Sequence, residues 1–246
     1  MKLLLDVIKE GKILISDGAW STMLRQRGML ATECPELWNT THRKDVTAIA
    51  KSYVDLGIDI IQTNSAGGSP IKLGRYGLCD KAYELNKAAA VISREAAGGK
   101  CYVLGTIGST GRLLITDDVT EKELIDGFTL QTEALKKGGV DAILIESMSD
   151  IDEATLAVRT VKEVSGLDVI CTFTFERTIM NEFRTMMGIT PSKIVEPLIN
   201  SGASIIGTNC GNGISQMINI VEEIRKVNDE IPVMVQANAG KPNSCR

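Results

Sequence analysis

Short apolar, β-branched runs recur along the chain, and each gives way to Gly, Ser, Thr or Asn and then to a helical pattern. The runs are Ile13–Ser16, Ile58–Thr63, Tyr102–Thr106, Ala142–Glu146, Val169–Thr174, Ser204–Asn209 and Val233–Asn238. Near-continuous apolar strands are buried on both faces, as in a parallel sheet covered by helices. Between them, apolar residues fall at helical spacing over Val46–Leu56, Lys81–Ala97, Glu121–Lys137, Ile151–Val164, Ser192–Asn200 and Ser215–Val227. Gly57, Gly138–Gly139, Gly166 and Gly202 stop several of these segments just before the next run. Repeated β/α units with right-handed crossovers make either a doubly wound sheet or a barrel.

Two features favour the barrel. The units are evenly spaced, and every run ends in polar residues or glycine, where barrel enzymes build their active sites. A dinucleotide-binding sheet would carry G-x-G-x-x-G after its first strand, but the sequence there is DGAWST. The expected fold is α/β, a (β/α)8 TIM-type barrel, with residues 1–246 as a single barrel domain. Seven units are present in the sequence. The expectation is therefore a C-terminally incomplete barrel lacking its eighth β/α unit, whose open edge invites a homo-oligomeric contact.

Composition removes several functions. A net charge of −4 and a pI near 5.3 leave no basic excess for nucleic acid. No apolar run approaches the ~20 residues of a membrane span. The N-terminal stretch MKLLLDVIKE is interrupted by Asp6 and Glu10, so it is expected to be a helix and not a signal peptide. Six scattered cysteines without C-x-x-C fit a reducing, cytoplasmic compartment. His42, the single histidine, rules out sites needing two, and in NTTHRKD it is expected at the surface where a helix starts.

Local chemistry singles out a few residues at the strand ends. Glu146 is the acidic residue closing the apolar run AILIES. A carboxylate at a barrel mouth needs a cation, a donor or a metal, unless it reaches solvent or caps the next helix. Asp17 ends the first run and either joins Glu146 on one rim or orders its own glycine turn. Cys210, in IIGTNCGNG, has the placement of a thiolate used as metal ligand or nucleophile, although a lone cysteine also serves as a small core residue. Cys171 is expected in the core, Cys101 at the opposite barrel end, and Cys34 and Cys79 in loops or at helix edges. Cys245 could share the rim with Cys210. The loops at Gly67–Pro70 and Gly105–Gly111 could cradle an anion, or could be tight turns where backbone approaches closely.

These motifs converge on a known family. DGAWSTMLRQRGM, CPELWN, YVDLGIDIIQTNSAGG, LGTIGSTG, ILIESMSDIDEATLAV, RTMMGITP, IIGTNCGNG and VQANAGKP, in that order, resemble the homocysteine S-methyltransferase family. It includes betaine–homocysteine methyltransferase and the homocysteine-binding module of cobalamin-dependent methionine synthase. The resemblance implies a barrel in which zinc, held by three cysteine thiolates, activates a thiol for methylation by a small methyl donor or a corrinoid on a partner protein. It gives Cys210 as zinc ligand, with Asn209 beside it, and Glu146 as the carboxylate holding the substrate amino group. Asp17, Gly18, Ala19, Thr63 and Asn64 are implied near the substrate. Three departures stand out: no adjacent cysteine pair follows Cys210, Trp20-Ser21-Thr22 replaces a usual Gly-Thr, and Ser65-Ala66 replaces Thr-Phe. They open two alternatives, a methyltransferase that demethylates a small substrate and passes the methyl to a corrinoid protein, and a catalytically incomplete fragment or scaffold.

Overall fold

The computed structural model describes residues 2–116 and 118–240. Its strands are β1 (Ile60–Gln62), β2 (Tyr102–Gly108), β3 (Ala142–Met148), β4 (Asp168–Phe173), β5 (Glu176–Arg177), β6 (Phe183–Arg184), β7 (Ile205–Gly213) and β8 (Val233–Asn238). β5 and β6 form a small antiparallel hairpin; the other six pair in parallel in the order β1-β2-β3-β4-β7-β8. The helices are α1 (Leu4–Lys9), α2 (Trp20–Gln26), α3 (Trp38–Thr41), α4 (Arg43–Val54), α5 (Pro70–Gly74), α6 (Ala82–Ala97), α7 (Glu121–Gly138), α8 (Ile151–Ser165), α9 (Pro191–Asn200) and α10 (Ile214–Arg225). Strand order follows chain order throughout, without the reversal of a doubly wound sheet, so the sheet is part of a barrel.

The two faces of the sheet separate cleanly by strand alternation. Outward residues Val103, Ile143, Ile145, Val169, Cys171 and Ile206 pack with the helices in the main core. Inward residues Ile60, Leu104, Leu144, Ile170 and Ile205 form a second cluster, closed by Leu4, Leu5, Val7 and Ile8 of α1. The N-terminal helix expected from the sequence therefore plugs the N-terminal end of the half-barrel. Further along the same inward column the residues turn polar, through Gln62, Thr106, Glu146, Thr172 and Asn209. That change from apolar to polar defines the functional end.

Helix ends follow local rules. Thr120 and Glu123 form a reciprocal capping box on α7. Asp150 accepts the Asp152 and Glu153 amides at the start of α8. Gly139 and Gly166, both left-handed, terminate these two helices.

One expected strand is not formed. Ile13–Ser16 meets the sheet through a single parallel bridge, Ser16 to Ile60. Ile13 and Ile15 are 88% and 63% exposed, so this run lacks the two-sided burial that stabilises its counterparts. It remains anchored by the Ile60 amide donating to the Ile15 carbonyl and the Asp17 amide donating to the Ile60 carbonyl.

Gly207 gives a test of the β7–β8 pairing. A Cβ at this position would stand 1.9 Å from the Met234 carbonyl oxygen. Gly207→Ala is expected to push β8 away while leaving β2–β4 paired. Hydrogen exchange should then show protection lost at residues 233–238 and kept at 103–107 and 143–145; equal protection in both regions would refute this packing.

Candidate active site

Glu146 lies on the inward face of β3, in register with Gly108 of β2. Gly108 lets the Ala66 carbonyl approach closely, since a Cβ there would meet its oxygen at 2.6 Å. The β3–β4 register then shifts between Ile145 and Met148, with Ser147 left-handed at φ 59°. A second shift falls between Asn209 and Gly213 of β7, where Cys210 has φ 58°. Such bulges end pairing and re-aim side chains at the rim of a barrel.

The buried amide of Asn209 fixes these two irregularities together. Its Oδ1 accepts the Ser147 amide at 3.1 Å and the Thr172 hydroxyl at 2.9 Å. Its Nδ2 donates to Ser147 Oγ at 2.7 Å and to Cys210 Sγ at 3.4 Å. Cys210 is exposed at this rim. Burial of its sulfur and the nearby Glu146 charge raise its pKa, against smaller opposing contributions from Asn209 and Ser147, so the unliganded thiol is neutral at pH 7.

Asp17 is buried and committed to its surroundings. Its Oδ2 accepts the Gln62 amide at 3.0 Å and the Trp20 indole N–H at 2.7 Å, while Oδ1 accepts the Ser16 hydroxyl at 3.2 Å. The Gly18 carbonyl accepts the Tyr53 hydroxyl, and left-handed Ala19, at φ 53°, precedes α2. Thr63 accepts the Thr106 amide at 2.9 Å and shares a hydrogen bond with Ser65 at 2.6 Å. Asn64 donates to the Pro35 carbonyl and to Asn39, at 2.8 and 3.0 Å.

Thr63, Asn64 and Glu146 line one cleft of about 310 Å³, together with Trp20, Glu36 and Lys72. Asp17, hydrogen-bonded to Trp20, is outside this lining, and so is Cys210. In both Gly-rich loops an internal carboxylate takes a backbone amide. Glu36 accepts the Gly67 amide at 2.7 Å, and Glu153 accepts the Thr110 amide and hydroxyl, both at 2.6 Å, and the Ser109 hydroxyl at 2.7 Å. Both loops are therefore close backbone approaches closed by internal carboxylates. A Cβ on Gly68 would lie 2.3 Å from the Asn86 amide oxygen.

Lys72 and Glu36 were not among the residues expected at the site. Ser69 capping α5, with Pro70 at its first turn, was the available signal, because it starts a helix at the mouth just after β1 and places Lys72 there. Cys171 and Cys101 are buried in the main core, Cys34 is buried in a separate cluster, and Cys79 is exposed. Exposed His42 precedes α4, with its ring stacked on Trp38 at 4.0 Å. Cys245 lies outside the described residues.

A half-barrel with a carboxylate-bearing cleft at its C-terminal strand ends is the arrangement of barrel enzymes. The chain belongs to the homocysteine S-methyltransferase family, whose model matches residues 14–246. It is 29% identical to methionine synthase of Mycobacterium leprae over 94% of this chain and 20% of that protein. Against methionine synthase of Mycobacterium tuberculosis it is 30% identical, over 97% of this chain and 21% of the relative. The chain thus spans about a fifth of the length of these curated relatives. Its fold matches the metallated form of the homocysteine methyltransferase MmuM from Escherichia coli with a TM-score of 0.80, at 17% identity, covering 96% of this chain and 87% of that one.

The three-thiolate zinc site implied by the sequence resemblance does not fit the described residues. Among them no group of three or more His, Cys, Asp or Glu side chains could hold a metal ion. Cys210 supplies one thiol; further ligands would have to come from outside the described residues. Also among these residues, no helix is long and apolar enough to cross a membrane.

Two carboxyl groups here are poised near neutrality. Burial, reinforced by the Asp17 charge and opposed by Lys72, lifts Glu146 to about 7. Burial lifts Asp17 to about 6, against its hydrogen bonds. An acid whose pKa is raised by folding stabilises the fold while protonated, and loses that contribution as pH rises from the unfolded to the folded value. Stability should therefore fall between about pH 4 and 7, and Glu146→Gln should be more stable than the parent protein at pH 8 but not at pH 4. Carbon-detected NMR should give a Glu146 midpoint near 7 that moves down in Asp17→Asn; a midpoint near 4.5 in the parent protein would contradict this electrostatic picture.

Proposed function

We propose that the chain is the homocysteine-binding part of a methyltransferase. The observation that carries this reading is Glu146, which faces the cleft and makes no hydrogen bond or ion pair among the described residues. An incoming α-ammonium group would pair with that carboxylate and hold it ionised, replacing the lost solvation. Glu146 then fixes the substrate's amino end, and Asp17, held by Trp20 and Gln62, supports the site electrostatically from behind the cleft wall. In the transfer, the substrate thiol gives up its proton to solvent, a sulfur lone pair forms the new S–CH3 bond, and the methyl–donor bond breaks with its electron pair leaving on the donor. The donor in this reading is a corrinoid carried by a partner domain or a small methylated molecule. Zinc enters no step derived from these residues.

A charge-assisted hydrogen bond to a substrate contributes about 1.5–3 kcal/mol. Glu146→Gln should accordingly weaken L-homocysteine binding, measured by calorimetry, by about ten- to a hundredfold while the protein stays folded. Unchanged affinity would remove Glu146 from substrate recognition.

The Trp20–Asp17 hydrogen bond favours a second reading. It occupies a carboxylate that the family resemblance places near the substrate and puts an indole in the cleft wall. In that case the chain would demethylate a small donor and pass the methyl group to a separate corrinoid protein. Adding cob(I)alamin with and without homocysteine separates the two: methylcobalamin formed from a small donor without homocysteine supports the second, and methionine formed only with homocysteine supports the first.

A further inference from the structure

Lys72 projects from α5 into the cleft that Glu146 lines, and it is only partly exposed. Among the described residues its ammonium group makes no hydrogen bond or ion pair. A partly desolvated cation without a partner is unfavourable, and here burial does lower its pKa. Three carboxylates oppose that effect through space, Glu36, Glu153 and Glu146. Glu36 and Glu153 are turned to the Gly67 and Thr110 amides, and neither is within bonding reach of Lys72. They help keep the lysine charged without neutralising it.

Among the described residues, Lys72 and Glu146 are thus a cation and a carboxylate that line the same cavity without a hydrogen-bond or ion-pair partner. A ligand with only an ammonium group would satisfy Glu146 and leave Lys72 bare, and a simple anion would do the reverse. An α-amino acid carries both charges on groups bonded to one carbon and compensates both. Arg75, also in the lining, adds a second positive charge on the same side.

We infer that Lys72 is a specificity residue that receives the substrate's α-carboxylate, so that the cleft selects zwitterionic amino acids over thiols bearing an amine alone. This rests on the proposed homocysteine-binding function and adds to it the group that reads the carboxylate.

The test measures affinities of three probes by calorimetry, for the parent protein, Lys72→Met and Lys72→Arg. L-homocysteine carries thiol, amine and carboxylate, 3-mercaptopropylamine lacks the carboxylate, and L-2-aminobutyrate lacks the thiol. Lys72→Met should weaken both carboxylate-bearing probes by about tenfold or more and change 3-mercaptopropylamine less than about twofold. Lys72→Arg should restore part of the loss, because it keeps the charge. Thermal unfolding of each variant verifies that the fold is intact. Equal weakening of all three probes, no weakening of any, or no amino-acid binding by the parent protein would overturn the assignment. If instead L-2-aminobutyrate binds as tightly as L-homocysteine and both depend on Lys72, the carboxylate assignment stands and the thiol-methylation reading fails.

Discussion

The rim of this half-barrel depends on one buried amide. Asn209 uses its oxygen and nitrogen to join the bulge after Glu146, the hydroxyl of Thr172 and the sulfur of Cys210. Bulges leave strand positions without ladder partners, and unpaired polar groups inside a protein are expensive. Asn209 supplies those partners across β3, β4 and β7. Both left-handed residues, Ser147 and Cys210, touch it directly, so their strained backbones are held by the same side chain. The positions of Glu146 and Cys210 are consequences of that network as much as of the strands bearing them.

Acidic side chains around the cleft divide by what they bind. Glu36 and Glu153 close glycine-bearing loops and are consumed by backbone amides. Asp17 is held by an indole and an amide, which ties the poorly formed first segment to β1. Glu146 alone of these four has no such internal donor among the described residues, and Lys72 is its counterpart of opposite sign. Of the acidic groups at the mouth, Glu146 is thereby the one left without an internal donor among the described residues, with Lys72 and Arg75 in the same lining.

The period of the sequence made most of the fold legible. Runs from Tyr102 to Asn209 became strands because alternate residues are claimed by the helical core and by the α1-capped interior, so both faces had to be apolar. Ile13–Ser16 has the same composition, but its fate is set by what lies beside it, and local pattern carries no information about a neighbour. Glu146 and Cys210 were legible because strand ends define the mouth of a barrel. Lys72 was not, since α5 is a short helix after a loop and its ammonium gains meaning only from a cleft closed by distant Trp20 and Glu36. The glycine loops show the converse: they read as anion cradles or tight turns, and only the tertiary placement of Glu36 and Glu153 decided for the turn.

The sequence departures from the family pattern fall on two separate parts of the rim. Trp20 and Ser65–Ala66 lie on the β1–β2 side, where Trp20 packs its indole against Asp17 and Ser65 donates to the Thr106 carbonyl at 2.7 Å. These changes reshape the wall around the amino-acid end and leave the Lys72–Glu146 pair untouched. The lack of an adjacent cysteine pair concerns the β7–β8 side, where Cys210 belongs to no group of three or more potential metal ligands among the described residues. If the cleft takes a zwitterion as proposed, its recognition is assembled from β1, β3 and α5, whereas Cys210 stands apart from that lining on β7. On the proposed reading, the described residues hold the substrate by its charged end.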